Sequence, residues 1–462
     1  MTVSRVASSF RDPSGFLFTR DGTLLRQVQP SYAPHYDALK TSGLYDALVA
    51  QRLLVPHVEV PLSEEAAPGA AYVLRPERVP FVSLPYEWCF SQLRAAALLT
   101  LRVQQLALEH GMVLKDASAF NVQFRGTAPV FVDTLSFERR VEGDQWVAYR
   151  QFCQHFLGPL ALQALVDPRL RELSRSYLDG VPLDLVSRLL PRTTWLRPWS
   201  MFHLHLHARS IARYASTSGR SAPPTIRRVS TKGIEGIVAH MRGAIEGLRW
   251  TGAKTEWGDY EEQLGYNEDE RSAKHDAVAA LLHGLAPSLV MDLGANAGEY
   301  SRIAHEAGAR VIALDGDPAA VERAFTRFAA AADPTAVLPL WIDLVNPSPA
   351  QGWAEGEWPA LTARTPADVV LALALIHHLA IGNNVPLPAV IDFLLRLGRR
   401  AIVEWVTKDD PQVKRLLSSR ADIFTGYSEE QFREAALARC RIASRTPVGR
   451  SGRVLYLLDP TA

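Results

Sequence analysis

A short apolar run followed by a glycine turn is the feature that most limits how this chain can fold. Residues 289–293 are apolar except for one acid, and a run of that length suits a buried strand rather than a helix. Beyond the turn, apolar residues recur at helical spacing until Gly308. Because a glycine lacks Cβ, such a turn lets the backbone approach a ligand closely. The residues that mark this strand, turn and helix are Asp292, Gly294, Asn296 and Gly298.

Two further apolar runs follow in the order expected of a parallel sheet. Residues 310–315 predict a second strand that ends in Asp315, and residues 338–344 predict a third that contains Asp343. An acid about twenty residues after Gly294 is placed to accept hydrogen bonds from both ribose hydroxyls of a nucleoside. The pattern therefore predicts a nucleoside-binding edge.

The spacing of the glycines separates this turn from the dinucleotide fingerprint G-x-G-x-x-G, because three residues lie between Gly294 and Gly298. Together with Asp292 and Asn296, these glycines resemble motif I of the class I S-adenosylmethionine (SAM) dependent methyltransferases. The resemblance implies a Rossmann-like seven-stranded α/β sheet with SAM as cofactor. It also implies that Asp343 and its neighbour Leu344 hold the adenine of the cofactor. Tyr260, in the segment before motif I, would contact the cofactor as well. Packing against the sheet is the alternative role for Tyr260.

The carboxyl ends of the next two strands supply the candidate catalytic residues. A fourth strand, 367–375, runs into His377 and His378, and a fifth, 400–406, contains Glu404. A histidine at this edge can take a proton from an acceptor at neutral pH. The alternatives are a histidine turn that only packs, and an ion pair of Glu404 with Lys408 or an arginine. Residues 440–446 and 453–458 then predict the closing antiparallel hairpin of the methyltransferase sheet.

The first half of the chain predicts a smaller α+β domain. Asp-Gly between two apolar runs indicates a hairpin over residues 16–28. The pattern then predicts a helical stretch, three short strands and a long helix, at residues 35–53, 57–60, 71–74, 81–84 and 91–110.

Three polar residues after the long helix, Asp116, Asn121 and Asp133, resemble the catalytic loop and metal-binding aspartate of protein-kinase-like phosphotransferases. The resemblance implies that Asp116 is a base, that the other two hold magnesium, and that Mg-ATP is a ligand. However, no glycine-rich loop precedes the second strand, and Lys40, in the helical stretch, is the only lysine before Lys115. The alternative is a kinase-like scaffold in which these side chains hydrogen-bond turns.

The length of 462 residues predicts two domains. Residues 216–232 are small, polar and proline-bearing, which is typical of a linker. We therefore expect a kinase-like domain over 1–215 and a methyltransferase domain over 233–462.

Composition narrows the partners and the compartment. The formal net charge of +1 gives no overall basic field for nucleic acid. The three cysteines make no metal or disulfide pattern, and no apolar run is long enough to span a bilayer, so we expect a cytoplasmic protein. The histidines at 203, 205 and 207 lack added Cys, Asp or Glu at ligand spacing, which favours a hydrogen-bonded cluster over a metal site.

The sequence thus predicts a SAM-dependent methyltransferase that acts on a small molecule or glycan, with oxygen as the methyl acceptor. From Trp257 through Tyr427, including the His-His-Leu turn, it also resembles a bacterial group of nodulation-protein-like methyltransferases. Two alternatives stay open. One is a bifunctional enzyme that phosphorylates a hydroxyl and methylates the product, and the other is a non-catalytic SAM-binding partner protein. Neither the acceptor nor the oligomeric state follows from the pattern.

Overall fold

The computed structural model describes residues 3–61, 69–210, 228–250, 252, 268–418 and 421–460. The chain forms two compact units that exchange short segments. The first unit comprises Met1–Phe124, Pro129–Thr251 and Gly352–Trp358. The second comprises Arg125–Ala128, Gly252–Gln351 and Pro359–Ala462.

The first unit begins with a five-stranded antiparallel sheet in the order β1-β2-β3-β5-β4. Its strands are β1 Val3–Arg5, β2 Gly15–Arg20, β3 Thr23–Val28, β4 His57–Val60 and β5 Tyr72–Pro76. Asp21 and Gly22 both have positive φ, 46° and 79°, which matches the twist of a two-residue hairpin. The predicted hairpin is therefore confirmed.

Two details of this region differ from the sequence-based expectation. The helical stretch is two helices, Ala33–Thr41 and Leu44–Ala50, because Gly43 adopts a φ of 77° between them. The prediction of a strand at residues 81–84 is wrong, because these residues form no strand. There the backbone N–H and C=O of Ser83 bond the side-chain amide of Gln123, at 2.9 and 3.0 Å, so a buried glutamine satisfies groups that a neighbouring strand would otherwise bind.

The long helix of the first unit, Phe90–Glu109, has a broad buried apolar face. A second helix, Thr231–Gly247, packs on it, and Arg94 Nε donates to the carbonyl of Ile245 at 3.1 Å. This helix belongs to the first unit by its contacts, whereas the sequence grouped it with the methyltransferase domain. Short strands surround the Asp116 loop: β6 Met112–Leu114, β7 Val122–Arg125, β8 Ala128–Phe131 and β9 Phe137–Arg139.

Several short helices follow among the described residues of the first unit, two of them π-helical. They are Tyr149–Phe152, Cys153–Leu157, Gly158–Leu165, Glu172–Ser176, Leu183–Leu189, Pro198–Ser200 and Met201–Leu206. The histidine cluster is hydrogen-bonded, as predicted. His203 contacts the Tyr149 hydroxyl at 2.7 Å and His240 at 2.9 Å, and His205 contacts the hydroxyl of Thr194 at 2.9 Å.

The second unit is built on a seven-stranded sheet in the order β12-β11-β10-β13-β14-β16-β15. The first five strands of that order are parallel, and β16 is antiparallel to both of its neighbours. The predicted seven-stranded sheet and its closing hairpin are confirmed. The strands are β10 Leu289–Leu293, β11 Arg310–Asp315, β12 Val337–Trp341, β13 Ala367–Ala372, β14 Gly398–Trp405, β15 Arg441–Val448 and β16 Arg453–Asp459.

Helices flank this sheet and cover its apolar residues. Their bounds are Glu268–Leu285, Glu299–Glu306, Pro318–Ala329, Leu387–Leu397, Pro411–Leu417 and Glu429–Leu437, with a π-helical turn at His378–Gly382. The core combines inward residues of the strands, such as Val290 and Val311, with Val278 and Phe328 from the helices. Along the described residues, no helix combines the length and the apolar character needed to cross a bilayer.

The connection between β12 and β13 contains a segment that packs in the first unit. In Gly352–Trp358, the carboxylate of Glu357 accepts two hydrogen bonds from Arg11, at 2.7 and 3.0 Å. The ring of Trp358 stacks on Phe120 with 4.5 Å between centroids. The connection between these two strands of the second unit therefore contributes a segment to the first unit.

Candidate functional site

The turn after β10 is held open by residues with positive φ. Gly294, Asn296 and Gly298 have φ of 69°, 50° and 83°. The backbone N–H groups of Gly294 and Ala295 donate to the carbonyl of Leu314, at 2.8 and 3.0 Å, which ties the turn to β11. As a result, the backbone of the turn lines a cavity instead of being covered by side chains.

Gly298 is needed for packing rather than for ligand contact. It is the residue before the helix Glu299–Glu306, and a Cβ at this position would lie 2.5 Å from the Phe328 ring. It does not line the cavity.

Asp315 ends β11 beside the turn, as the sequence predicted. Its carboxylate accepts a hydrogen bond from the backbone N–H of Asn296 and another from that of Asp317, both at 2.8 Å. Burial raises the pKa of Asp315 to about 6, against the lowering effect of these two bonds. The group is therefore ionised at neutral pH and keeps lone pairs that can accept further hydrogen bonds.

Asp292 is buried one strand away. Ser301 Oγ donates to its carboxylate at 2.7 Å, and burial raises its pKa to about 6. Two carboxylates with raised pKa beside one cavity are typical of a functional site.

The cavity at this edge of the sheet has a volume of about 440 Å³. Six of the eight predicted cofactor residues line it: Asp292, Gly294, Asn296, Asp315, Asp343 and Leu344. Tyr260 lies outside the described residues. The other lining residues are Arg271, Lys274, Ala295, Glu299, Tyr300, Gly316, Asp317, Ala320, Val345, Leu373, Ala374, Leu375, His378, Leu379 and Asn383.

Glu404 lies in a buried charge network. Its side chain is fully buried and pairs with Lys274 at 2.7 Å and with Arg453 at 3.3 Å. Arg453 also bonds Asp410 at 2.8 Å, and the backbone N–H of Ala374 donates to Glu404 at 2.7 Å. Glu404 is not among the residues that line the cavity. Its role here is an ion pair, whereas Lys408, the partner considered from the sequence, pairs with Asp422 at 2.8 Å.

The two adjacent histidines occupy different environments. His377 is fully buried, and burial lowers its pKa well below the usual value. His378 lines the cavity, and burial lowers its pKa to about 4, so its imidazole is neutral at pH 7. Of the two predicted bases, only His378 lines the cavity.

A second cavity of about 610 Å³ lies in the same unit. Asn384 and Ala380 line it, next in sequence to Asn383 and Leu379 of the first cavity. Its other walls include Leu387, Phe424 and Tyr427, with Gln431 and Glu434 as polar groups. This cavity therefore has both apolar and polar walls.

Sequence reasoning missed the two cations of the first cavity, Arg271 and Lys274. Lys274 Nζ lies 4.6 Å from the centroid of the Tyr300 ring, and burial lowers its pKa. A signal was present, because Lys274 lies four residues before Val278 on the apolar face of the helix Glu268–Leu285.

The structure brings the kinase-like trio of the first unit together. Asn121 Nδ2 donates to Ser136 Oγ at 3.2 Å, and Ser136 Oγ in turn donates to Asp133. Burial, together with the Asp133 charge, raises the pKa of Asp116 against its hydrogen bond from Ser118.

Arg26 from β3 pairs with the predicted metal ligand, Asp133, and also with Asp12. Its guanidinium lies 2.7 Å from Asp133 Oδ1, which also accepts a hydrogen bond from the backbone N–H of Leu135 at 3.2 Å. Within the described ranges, no three His, Cys, Asp or Glu side chains are grouped as a metal would require.

The strand order of the second unit, its glycine turn and the acid that ends β11 define a protein with the Rossmann-like fold of SAM-dependent methyltransferases. The chain belongs to the family of the nodulation protein NoeA. It is 35% identical to NoeA of Rhizobium meliloti (strain 1021) over 460 residues, which cover 98% of this chain and 96% of that protein. The predicted resemblance to nodulation proteins is thereby confirmed. No protein-family model matches the chain.

Solved structures with lower identity match part of the chain. Magnesium protoporphyrin IX methyltransferase (ChlM) from Synechocystis PCC 6803 with bound SAH is 18% identical, with a TM-score of 0.34 over 45% of this chain and 95% of that one. The N-methyltransferase NodS from Bradyrhizobium japonicum WM9 is 13% identical, with a TM-score of 0.32 over 42% of this chain and 99% of that one.

Proposed function

We propose that the second unit is a SAM-dependent methyltransferase. The observation that carries the proposal is the carboxylate of Asp315 at the end of β11, beside the open turn of Gly294 and Asn296 and on the wall of a cavity of about 440 Å³. A carboxylate there suits the two ribose hydroxyls of a nucleoside. Lys274, whose ammonium group pairs with Glu404, lines the same cavity.

Calorimetric titration of SAM into the full chain tests the cofactor assignment. Asp315→Ala should weaken binding by about 1.5 to 3 kcal/mol, the scale of a lost hydrogen bond to a charged group. Asp392→Ala is the matched control, because Asp392 is an exposed acid of the same unit that pairs with Arg439 and does not line the cavity. Equal affinities for wild type and Asp315→Ala would remove Asp315 from the site.

We further propose that the methyl acceptor is a hydroxyl of a small molecule or glycan. Bound in the first cavity, SAM would supply an electrophilic methyl group to that hydroxyl, with its sulfur leaving as the thioether of S-adenosylhomocysteine and the hydroxyl proton passing to water. The apolar and polar walls of the 610 Å³ cavity suit an acceptor that carries an apolar portion. His378 is neutral and weakly basic, which suits a group that accepts the hydroxyl hydrogen bond and orients the oxygen.

Transfer of isotopically labelled methyl from SAM to components of a cell extract, read by mass spectrometry, tests this step. We expect His378→Gln to reduce turnover about a hundredfold, the scale of the loss when a reacting group is misplaced. SAM affinity measured on the same variant separates lost chemistry from lost binding. Tight SAM binding with no transfer to any component would instead favour the non-catalytic SAM-binding partner protein.

For the first unit we propose a kinase-like scaffold without phosphotransfer. These residues do not suit a magnesium site. The carboxylate of Asp133 already pairs with the guanidinium of Arg26 and accepts hydrogen bonds from the N–H of Leu135 and the hydroxyl of Ser136. Titration of ATP with and without magnesium should show no metal-dependent binding. Magnesium-dependent ATP binding that Asp133→Ala abolishes would contradict this and support the bifunctional kinase–methyltransferase.

We also propose a cytoplasmic location. The three cysteines, Cys89, Cys153 and Cys440, are all free and buried, which suits a reducing compartment. Fractionation of cells that express the full chain, with cytoplasmic and periplasmic marker enzymes, tests this location.

A further inference from the structure

Positive charge is concentrated in one stretch of the first unit. Residues 185–210 contain four arginines and neither Asp nor Glu, although the whole chain balances 50 basic against 49 acidic residues. The arginines, which are all exposed, are Arg188, Arg192, Arg197 and Arg209. The nearest acid, Asp184, lies 3.5 Å from Arg188, and both side chains are more than half exposed, so this pair neutralises little of the charge.

The same stretch exposes four large apolar side chains. Leu196 is 85% exposed, Phe202 52%, Leu206 40% and Leu189 39%. Every other exposed residue from 188 to 210 is an arginine, a proline, a serine or a threonine. We call these four apolar side chains and the four arginines the basic apolar patch. Single exposed apolar residues are ordinary, but several among cations mark an interaction surface.

One buried imidazole joins the three segments that carry the patch. His205 Nδ1 contacts Ser187 Oγ at 2.7 Å, and its Nε2 contacts Thr194 Oγ1 at 2.9 Å. The ring of Trp195 stacks on His205 at 4.2 Å, and Arg209 lies over that indole at 4.4 Å. Leu189, Leu196 and Leu206 follow these anchored residues within two positions, so the patch is held together by the fold.

We propose that the basic apolar patch binds the surface of an anionic phospholipid bilayer. Arginine side chains are attracted to the negative headgroups, and leucine and phenylalanine gain free energy when they enter the acyl boundary. A nucleic-acid duplex would satisfy the arginines through its phosphates but would leave Leu196 and Phe202 in water. The mixture of charge and aliphatic side chains therefore favours the bilayer.

Co-sedimentation of the full chain with vesicles tests the proposal. We expect binding to phosphatidylcholine vesicles that contain about one-third phosphatidylglycerol, weaker binding at high salt, and little binding to pure phosphatidylcholine. In the double variant Arg192→Gln/Arg197→Gln, partitioning into the anionic vesicles should fall about fivefold for each arginine removed, and the remaining binding should depend less on salt concentration.

A second double variant, Leu196→Ser/Phe202→Ser, should lose about tenfold or more while keeping its salt dependence. Val147→Ser is the control, because Val147 is 64% exposed in the same unit but outside the patch. Unchanged unfolding midpoints show that the variants fold. Equal binding to neutral and anionic vesicles, or full binding by the Leu196→Ser/Phe202→Ser variant, would overturn the proposal. Binding to an RNA duplex that depends on the arginines alone would overturn it in favour of nucleic acid.

Discussion

Lys274 offers the sharpest test of how the cavity wall is held. Its side chain is 4% exposed, and its ammonium nitrogen lies 2.7 Å from the fully buried carboxylate of Glu404. Lys274→Met keeps the apolar stem and removes the charge, which leaves Glu404 with Arg453 at 3.3 Å and the N–H of Ala374 at 2.7 Å. Removing one member of a buried ion pair costs about 3 to 5 kcal/mol. Because two partners remain, we expect the lower end, about 3 kcal/mol.

The measurement is thermal unfolding of the full chain, following the transition that SAM shifts upward. Lys408→Met is the matched control, because Lys408 forms a partly exposed pair with Asp422 at 2.8 Å and its loss should cost no more than about 1 kcal/mol. In a double-mutant cycle with Glu404→Gln, the two changes should cost less together than their sum, by about 1 to 3 kcal/mol. If Lys274→Met were no more destabilising than Lys408→Met, the ion-pair reasoning would be refuted.

Three further changes probe the turn, the acid and the buried amide. Gly298→Ala should destabilise the second unit by at least about 1 to 2 kcal/mol in denaturant unfolding, because it combines positive φ with a clash against Phe328. The pKa of Asp315 is raised to about 6, so SAM affinity, measured by calorimetry, should fall as the pH drops through 6. The free energy of unfolding of the cofactor-free protein should instead rise as the pH falls through 6, because a carboxyl group with a raised pKa binds its proton more tightly in the folded state than in the unfolded state. Asp315→Asn should remove both pH dependences. Gln123→Ala should lower the free energy of unfolding by about 2 kcal/mol in the same unfolding assay, because the buried N–H and C=O of Ser83 would lose their hydrogen-bond partner.

The parts of the fold that follow from local patterns were predictable. The strand, turn and helix from Leu289 to Gly308 depend on residues close in sequence, and Asp315 follows from the length of one strand–helix–strand repeat. The Asp21-Gly22 hairpin is equally local. In each case the chemistry of a few adjacent residues selects the backbone conformation.

The parts that depend on distant partners were not predictable. Nothing near Glu404 in sequence indicates that Lys274 will neutralise it, and nothing near Asp133 indicates Arg26. The choice between His377 and His378 depends on the rotation of a single helical turn, which tertiary packing decides. The strand expected at residues 81–84 failed because a side chain far along the chain bonds the backbone there.

The exchange of short segments between the two units bears on how the protein can be divided. Gly352–Trp358 belongs to the first unit although it is encoded between two strands of the second, and Arg125–Ala128 shows the converse. A single cut between Ala128 and Gly352, by a protease or by gene fission, would leave the N-terminal fragment without Gly352–Trp358 and the C-terminal fragment without Arg125–Ala128, and Arg11 and Glu357 would lie on different fragments. Neither fragment of such a cut would therefore contain a complete unit.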